Sequence, residues 1–109
     1  MNEKFKALLG FAVKAGRVSF GHDAVKQCIR LKRAKLLLFT RDASPRLREE
    51  LTGLAGNVPA IDLAESADEL AAVLGRRAAA LAVGDEGFAQ SLLKHVETTV
   101  TQEDKLWQQ

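Results

Sequence analysis

The sequence predicts an α/β protein, built as a three-layer α/β/α sandwich around a four-stranded central sheet. Between residues 5 and 96, segments with helical spacing of apolar residues alternate with short apolar runs of strand length. Few residues separate these segments, and a chain of 109 residues is long enough for one domain and hardly for two. Helical connections favour parallel neighbours. The strand order cannot be read from the pattern, and we expect a mixed sheet.

The first half of the chain supplies two helices and two strands. The first helix has an apolar face made by Phe5, Leu8, Leu9, Ala12 and Val13. It ends at Gly16, and residues 17–20 follow as a short strand. Gly21 opens a second helix, whose inner face consists of Val25, Cys28 and Ile29, with Ala24 as a further candidate. Residues 35–40 form an apolar run without alternation, which is typical of a strand covered on both faces.

The second half supplies three more helices and two more strands. Asp42 and Ser44 offer capping oxygens just before Pro45, which predicts a helix start. Residues 58–63 and 79–83 predict strands, residues 66–69 match a capping box, and Asp85 is placed to cap the last helix. The inward residues of these helices are Leu47, Leu51 and Leu54, then Leu70, Val73 and Leu74, then Phe88, Ala89, Leu92, Leu93 and Val96. Residues 97–109 are polar and aperiodic, so we expect a domain over residues 1–96 and a flexible C-terminal tail that includes Trp107.

Composition excludes several classes of protein. A hydrophobic content of 47% and a charged content of 28% argue against global disorder. Cys28 is the single cysteine, so no intramolecular disulfide forms, which suits a reducing compartment. The N-terminus lacks the layout of a signal peptide, and the longest apolar stretches are too short to cross a bilayer. We therefore expect a cytoplasmic protein without a membrane partner.

Charge is distributed unevenly along the chain. The net charge is only +2, but residues 1–50 carry twelve Lys and Arg against five Asp and Glu, a formal charge of +7. Residues 51–109 carry four bases against nine acids, a formal charge of −5. Such asymmetry suggests a face that binds a polyanion, with nucleic acid as the first candidate.

The second predicted helix carries most of that basic character. Its outer side presents Asp23, Lys26, Gln27, Arg30 and Arg33 at three- and four-residue spacing. Lysine and arginine there could neutralise phosphates, while Asp23 and Gln27 could read base edges. The start of the helix, after Gly21, offers free N–H groups and the positive end of the helix dipole to a phosphate. A solvated helix face is the alternative interpretation of the same stripe.

Catalytic signals are poor. Cys28 and His22 lie six residues apart on one helix, about 120° apart in rotation, which disfavours a nucleophile–base pair. Asp42 follows an apolar strand as a phospho-acceptor aspartate would, although helix capping by Asp42 or Ser44 explains it as well. The two histidines and one cysteine have no zinc spacing. We therefore expect no catalytic residues, metal or cofactor.

Two segments resemble a known family. Residues 8–21 (LLGFAVKAGRVSFG) and 33–44 (RAKLLLFTRDAS), continued by residues 74–76 and 85–89, are similar to the YlxQ/YbxF-type bacterial members of the kink-turn-binding ribosomal-protein superfamily, the L-seven-Ae and L-thirty-e group. The resemblance spans roughly residues 5–96. It implies the α/β/α fold and non-catalytic binding of kink-turn RNA in or near the translation machinery, with ribosomal RNA as one candidate.

The resemblance also implies where the RNA binds. The family reads RNA with a Gly-x-Asn-Glu-x-x-Lys motif at the start of its second helix, and here Gly21 is matched while Asp23, Ala24 and Gln27 replace Asn, Glu and Lys. A loop before the last strand also touches RNA in the family, and residues 76–79 take its place in a shorter form. Together with the basic stripe, this gives a predicted RNA contact set of Arg17, Gly21, His22, Asp23, Ala24, Lys26, Gln27, Arg30, Arg33, Arg77, Ala78 and Ala79.

Two alternatives from other classes remain open at this stage. One is a protein-binding adaptor or assembly module on the same fold, which uses the acidic second half. The other is a small phosphate-handling enzyme centred on Asp42. For the RNA-binding hypothesis we expect the free protein to be a monomer, and we expect the departures from the motif to weaken kink-turn specificity without moving the site.

Overall fold

The computed structural model describes residues 1–96, apart from the side chain of Val96. Five helices and four strands alternate as predicted: α1 Glu3–Lys14, β1 Val18–Phe20, α2 His22–Arg30, β2 Leu36–Phe39, α3 Pro45–Ala55, β3 Ala60–Asp62, α4 Ala67–Leu74, β4 Ala80–Val83 and α5 Glu86–Val96. The strands are one to three residues shorter than the apolar runs that predict them. The predicted C-terminal tail, residues 97–109, lies outside the described residues. The predicted inward orientation of the Val96 side chain does so as well.

Local sequence signals set the helix starts. Ser66 and Glu69 form the predicted capping box at α4, and Asp85 Oδ2 accepts from the Phe88 amide at α5, 2.9 Å away. At α3 the cap is Ser44, whose Oγ accepts from the Leu47 amide at 3.1 Å, just before Pro45. Of the two capping candidates that the sequence left open, Ser44 is therefore the one that caps α3.

The sheet is mixed, with strand order β1-β4-β2-β3. β4 runs antiparallel to both β1 and β2, and only β2 and β3 are parallel. The preference for parallel neighbours thus holds for one of three pairs, because β4 inserts between β1 and β2. All four residues of β2 and of β4 are buried, as expected for central strands covered on both faces.

Helices cover both faces of the sheet, which confirms the three-layer sandwich. α1, α4 and α5 pack on the face that carries Leu36 and Leu38. α2 and α3 pack on the face that carries Leu37 and Phe39. The alternation along β2 assigns successive side chains to opposite layers. Among the described residues, no helix is long and apolar enough to cross a bilayer.

Four apolar residues predicted to face inward are exposed. Leu54 is 45% exposed because it lines an open cavity at the end of α3. Val73 and Leu93, 38% and 37% exposed, lie at the rim of narrow buried stripes centred on Leu70 and Leu92. Ala24 is exposed as well, because the inner face of α2 is limited to Val25, Cys28 and Ile29.

The two ends of the sheet carry different groups. We call the end where β1 and β2 finish and β4 begins the Gly21 end, since Gly21 follows β1 directly. The other end, where β1 and β2 begin and β4 finishes, is the Gly84 end. α2 starts at the Gly21 end and finishes at the Gly84 end.

Candidate nucleic-acid interface

The start of α2 is open to a ligand. Gly21 has φ 92° and ψ 167°, a backbone region that is essentially restricted to glycine. Its amide donates to the Ala80 carbonyl at 2.9 Å, and its carbonyl accepts from the Val25 amide. No side chain caps the helix. The first-turn N–H groups and the positive end of the helix dipole are therefore available to hydrogen-bond acceptors.

The loop before β4 lies beside this helix start. The Gly21–Ala80 hydrogen bond connects them, and the Ala79 carbonyl accepts from the Thr40 amide at 3.0 Å. Gly75 ends α4 in the left-handed conformation, φ 81°, and the loop turns back toward the sheet. The structure thus brings together the two segments that the resemblance implies. Within the loop, Ala78 is 7% exposed and packs into the core, so its side chain is not a surface group.

Arg76 and Arg77 are the exposed side chains of that loop, and they have different surroundings. The Arg76 guanidinium lies 4.6 Å from the centroid of the Phe20 ring, a cation–π contact that holds it next to Gly21. Arg77 Nε instead donates to Asp68 Oδ1 at 2.6 Å, which raises the pKa of Arg77 and ties it to the start of α4. The predicted contact set includes Arg77 and not Arg76, because the contact between Arg76 and Phe20 joins two separate elements and leaves no local pattern in the sequence.

Glu50 on α3 neutralises part of the basic stripe. Its Oε1 lies 3.1 Å from His22 Nε2, and its Oε2 lies 3.1 Å from Lys26 Nζ. The hydrogen bond from Lys26, and then that from His22, lowers the pKa of the Glu50 carboxyl. The sequence analysis did not identify Glu50, because its partner His22 lies 28 positions away on another helix, and such a pairing leaves no local pattern.

The three positions that depart from the family motif are all exposed. Asp23 and Gln27 lie on the outer side of α2, and Ala24 is beside them. The Asp23 carboxylate is fully open to solvent, and His22 Nδ1 lies 3.8 Å from its Oδ1 atom. These side chains are accessible to a ligand that approaches the start of α2.

The predicted contact set divides between the two ends of the sheet. Arg17 precedes β1, and its carbonyl accepts from the Gly84 amide at 2.8 Å, so it lies at the Gly84 end. Arg33 was predicted on the outer side of α2, which is wrong, because the helix ends at Arg30 and Arg33 follows in the connection to β2. Arg30 is in the last turn. The residues at the Gly21 end are Gly21, His22, Asp23, Ala24, Lys26, Gln27, Arg77 and Ala79.

Five of the six carboxylates of residues 51–96 are engaged within the fold. Asp62 accepts two hydrogen bonds from Arg48, at 2.7 and 2.9 Å, and Glu69 lies 3.3 Å from Arg41. Asp68 pairs with Arg77, Glu65 pairs with the N-terminal ammonium group, and Asp85 caps α5. The charge asymmetry between the two halves of the sequence is therefore partly cancelled by folding one half onto the other.

The groups considered for catalysis have structural partners. Asp42 Oδ1 accepts from Thr40 Oγ1 at 2.8 Å and from the Ala67 amide at 2.9 Å, and these two bonds lower its pKa, that from Thr40 most. Asp42 thus binds the first amide of α4 rather than α3. Cys28 is buried between α2 and α3, whereas His22 is exposed beside Glu50. Within residues 1–96, no three His, Cys, Asp or Glu side chains are grouped to hold a metal ion.

Comparison with known proteins places the chain in a family. The model of the "Ribosomal protein L7Ae/L30e/S12e/Gadd45 family" matches residues 3–93. RNA-binding protein YlxQ of Bacillus subtilis (strain 168) is 39% identical over 89 residues, which cover 79% of this chain and 88% of that protein. A solved structure of a Bacillus halodurans protein of unknown function superposes with a TM-score of 0.78 at 22% identity, covering 85% of this chain and 96% of its own. The Giardia lamblia 15.5kD RNA binding protein superposes with a TM-score of 0.70 at 16% identity, covering 90% of this chain and 92% of its own. At these identities the two structures support the fold, while the family model and YlxQ confirm the resemblance: the chain belongs to the ribosomal protein L7Ae/L30e/S12e/Gadd45 family.

Proposed function

We propose that this protein binds structured RNA, without catalysis, through the Gly21 end of its sheet. One observation carries the proposal: the Gly21–Ala80 hydrogen bond holds the uncapped start of α2 beside the loop of residues 76–79. Membership of the family and the similarity to YlxQ, whose name describes an RNA-binding protein, support the same conclusion.

The geometry suits an RNA that bends sharply. A regular A-form major groove is too deep and narrow for a helix to enter, whereas a kink opens base edges to a helix start. The N–H groups after Gly21 and the Arg76 guanidinium would then meet phosphate or base acceptors. Arg76 is held in place by Phe20 before the RNA arrives, so little side-chain entropy is lost on binding.

Kink-turn RNA is the ligand class we infer, with reduced discrimination. Ionised Asp23 only accepts hydrogen bonds, so it can bind the amino group of guanine or cytosine but repels nearby phosphates. Gln27 can pair with a base edge but does not carry the charge of a lysine. Arg76, which lies outside the motif, would supply sequence-independent affinity, whereas Lys26 is paired with Glu50. We further propose that the protein acts as a monomer in the cytoplasm, in or near the translation machinery, with ribosomal RNA as a candidate ligand; membership of the family supports the association with translation.

A protein-binding adaptor that uses an acidic face is less well supported. Five of the six carboxylates in residues 51–96 have partners within the fold, and Glu86 is the exception. A partner would have to break these pairs to reach the acids. The exposed groups of residues 51–96 therefore do not form a ready acidic surface.

The test compares a kink-turn RNA with a straight duplex of the same composition, over a series of salt concentrations. We expect the wild type to bind both RNAs, with a modest preference for the kink-turn. Arg76→Gln should weaken binding and reduce the slope of log affinity against log salt by about 0.9, the value for one phosphate contact. Lys6→Gln removes the same charge from an exposed position of α1 and should change neither. Absence of salt-dependent RNA binding, or equal effects of the two substitutions, would contradict the proposal.

A further inference from the structure

Six basic residues collect at the Gly84 end, away from the proposed recognition site. The Lys35 amide donates to the Val83 carbonyl at 2.8 Å, and the Gly84 amide donates to the Arg17 carbonyl at the same distance. A Cβ at Gly84 would lie 3.6 Å from the Arg33 carbonyl oxygen, so the three chain segments meet there. We call this group the basal cluster: Lys14, Arg17, Arg30, Lys32, Arg33 and Lys35.

Part of the basal cluster borders an open cavity. The cavity has a volume of about 580 Å³ and lies between the end of α2, the end of α3 and the start of β3. Arg30, Lys32 and Lys35 line it, together with Leu54 and Glu86. Three of the six cations therefore border a concave, accessible surface.

The basal cluster differs from the Gly21 end in its charge balance. Near the Gly21 end, Lys26, Arg41, Arg48 and Arg77 each pair with a carboxylate. None of the six residues of the basal cluster forms an ion pair with any side chain of residues 1–96. Two carboxylates, Asp85 and Glu86, lie at this end of the sheet, and Asp85 is engaged as the cap of α5. Of the eleven Lys and Arg side chains of residues 1–96 that have no ion pair within that range, six thus lie in the basal cluster.

Helix dipoles do not account for this excess. Helices α1, α2 and α3 all finish at the Gly84 end, and each C-terminus carries roughly half a negative charge. Helix α5 starts at this end and contributes about half a positive charge, so the four helix termini together offset about one of the six positive charges, and the two carboxylates offset two more. A surplus of positive charge remains, which favours a polyanionic ligand.

We propose that the basal cluster binds the phosphate backbone of an RNA stem that extends from the recognition site along α2. This inference rests on the proposed function. α2 is nine residues and therefore about 14 Å long, so a stem that leaves a kink at the Gly21 end can reach the Gly84 end. The exposed outer face of α2, with Gln27 and Arg30, connects the two surfaces without a barrier. Phosphate contacts of this kind position an RNA and carry no sequence information.

The experiment varies the protein charge and the stem length together. The basal variant combines Arg17→Gln, Arg30→Gln and Arg33→Gln, and the control variant combines Lys4→Gln, Lys6→Gln and Lys94→Gln. All six side chains are exposed, and none forms an ion pair with residues 1–96. One kink-turn RNA has a stem extended by a full helical turn, and the other has both stems cut to a few base pairs. Log affinity is measured against log salt for each combination of protein and RNA.

On the long-stem RNA, the basal variant should lose about 2 to 3 units of slope relative to the wild type, at 0.7 to 0.9 per phosphate contact. On the short-stem RNA its slope should equal that of the wild type. The control variant should match the wild type on both RNAs. The single change Arg33→Gln, which should remove about one third of the effect, replaces the triple variant if that does not fold.

The possible results separate the two proposals. Wild-type protein that binds neither RNA contradicts the proposed function itself. Wild-type binding with equal slopes for the basal and control variants on the long stem overturns the basal contact alone, as does an equal loss on both RNAs. Retained RNA slopes combined with lost binding of a poly-glutamate peptide would assign the basal cluster to an acidic protein partner instead.

Discussion

Replacement of Glu50 by glutamine should strengthen RNA binding. The Glu50 carboxylate binds His22 Nε2 and Lys26 Nζ, each at 3.1 Å, and so occupies two donors beside the proposed recognition site. Glutamine has nearly the same shape and keeps one acceptor, but it carries no charge. In Glu50→Gln the Lys26 ammonium group is therefore free to contact a phosphate.

The expected size follows from counterion release. One additional phosphate contact should steepen the slope of log affinity against log salt by about 0.9. Over a fourfold range of salt, that slope amounts to about a threefold further change in affinity. Lys26, His22 and Glu50 are all partly exposed, and exposed ion pairs contribute little to stability, so we expect the variant to fold normally.

The gain in RNA affinity from Glu50→Gln should persist at mildly acidic pH. The hydrogen bonds from Lys26 and His22 lower the pKa of Glu50, so the carboxylate stays ionised below the range usual for glutamate. A carboxyl with a lowered pKa in the folded state contributes stability above its unfolded pKa and loses that contribution as pH falls through the folded pKa. The difference in RNA affinity between the variant and the wild type should disappear only in that acidic range.

Glu49→Gln is the matched control. Glu49 is the adjacent exposed carboxylate on α3, and its side chain has no ion pair with residues 1–96. Both variants gain the same net charge, so a difference between them reports the release of Lys26. Fluorescence anisotropy with labelled kink-turn RNA gives affinity and salt slope for both. Equal slopes in the two variants would show that net charge, and not the Glu50 pairing, controls binding.

The sequence predicts the elements of this fold well because the relevant signals are local. The apolar run of residues 35–40 gives β2, and the spacing of Phe5, Leu9 and Ala12 gives α1. The capping box at Ser66 correctly predicts the residue at which α4 starts. The strand order could not be predicted, since the pairing of β4 between β1 and β2 depends on contacts between residues about 40 to 65 positions apart.

The candidate site is predicted only in part, for the same reason. Gly21 and the loop before β4 follow from the family resemblance, and their proximity depends on the register of β1 and β4. The Arg76–Phe20 contact and the Glu50 pairing join side chains from separate elements, so no local pattern reveals them. Spacing alone placed Arg33 on α2, because periodicity cannot show that the helix ends at Arg30.

Three further predictions concern the motif positions, Asp42 and Gly21. The triple variant Asp23→Asn, Ala24→Glu, Gln27→Lys restores the family motif and should raise the preference for a kink-turn over a straight duplex by about 1–3 kcal/mol per restored base contact. Parallel titrations of this variant and the wild type with the two RNAs measure the preference. Asp42→Asn should lower the thermal unfolding midpoint slightly and leave RNA binding intact, since an amide oxygen still accepts from Thr40 and Ala67; acid-labile phosphate on the wild type, absent from the variant, would show a catalytic role instead. Gly21→Ala should cost about 1–3 kcal/mol in the free energy of unfolding, because alanine is strained at φ 92°, ψ 167°. No atom crowds a Cβ at Gly21 or at the helical Gly10, so Gly10→Ala isolates the backbone effect and should stabilise the protein by about 0.5–1 kcal/mol. Denaturant titrations in which Gly21→Ala stabilised the protein as Gly10→Ala does would refute the strained conformation at Gly21, and with it the geometry that leaves the start of α2 open.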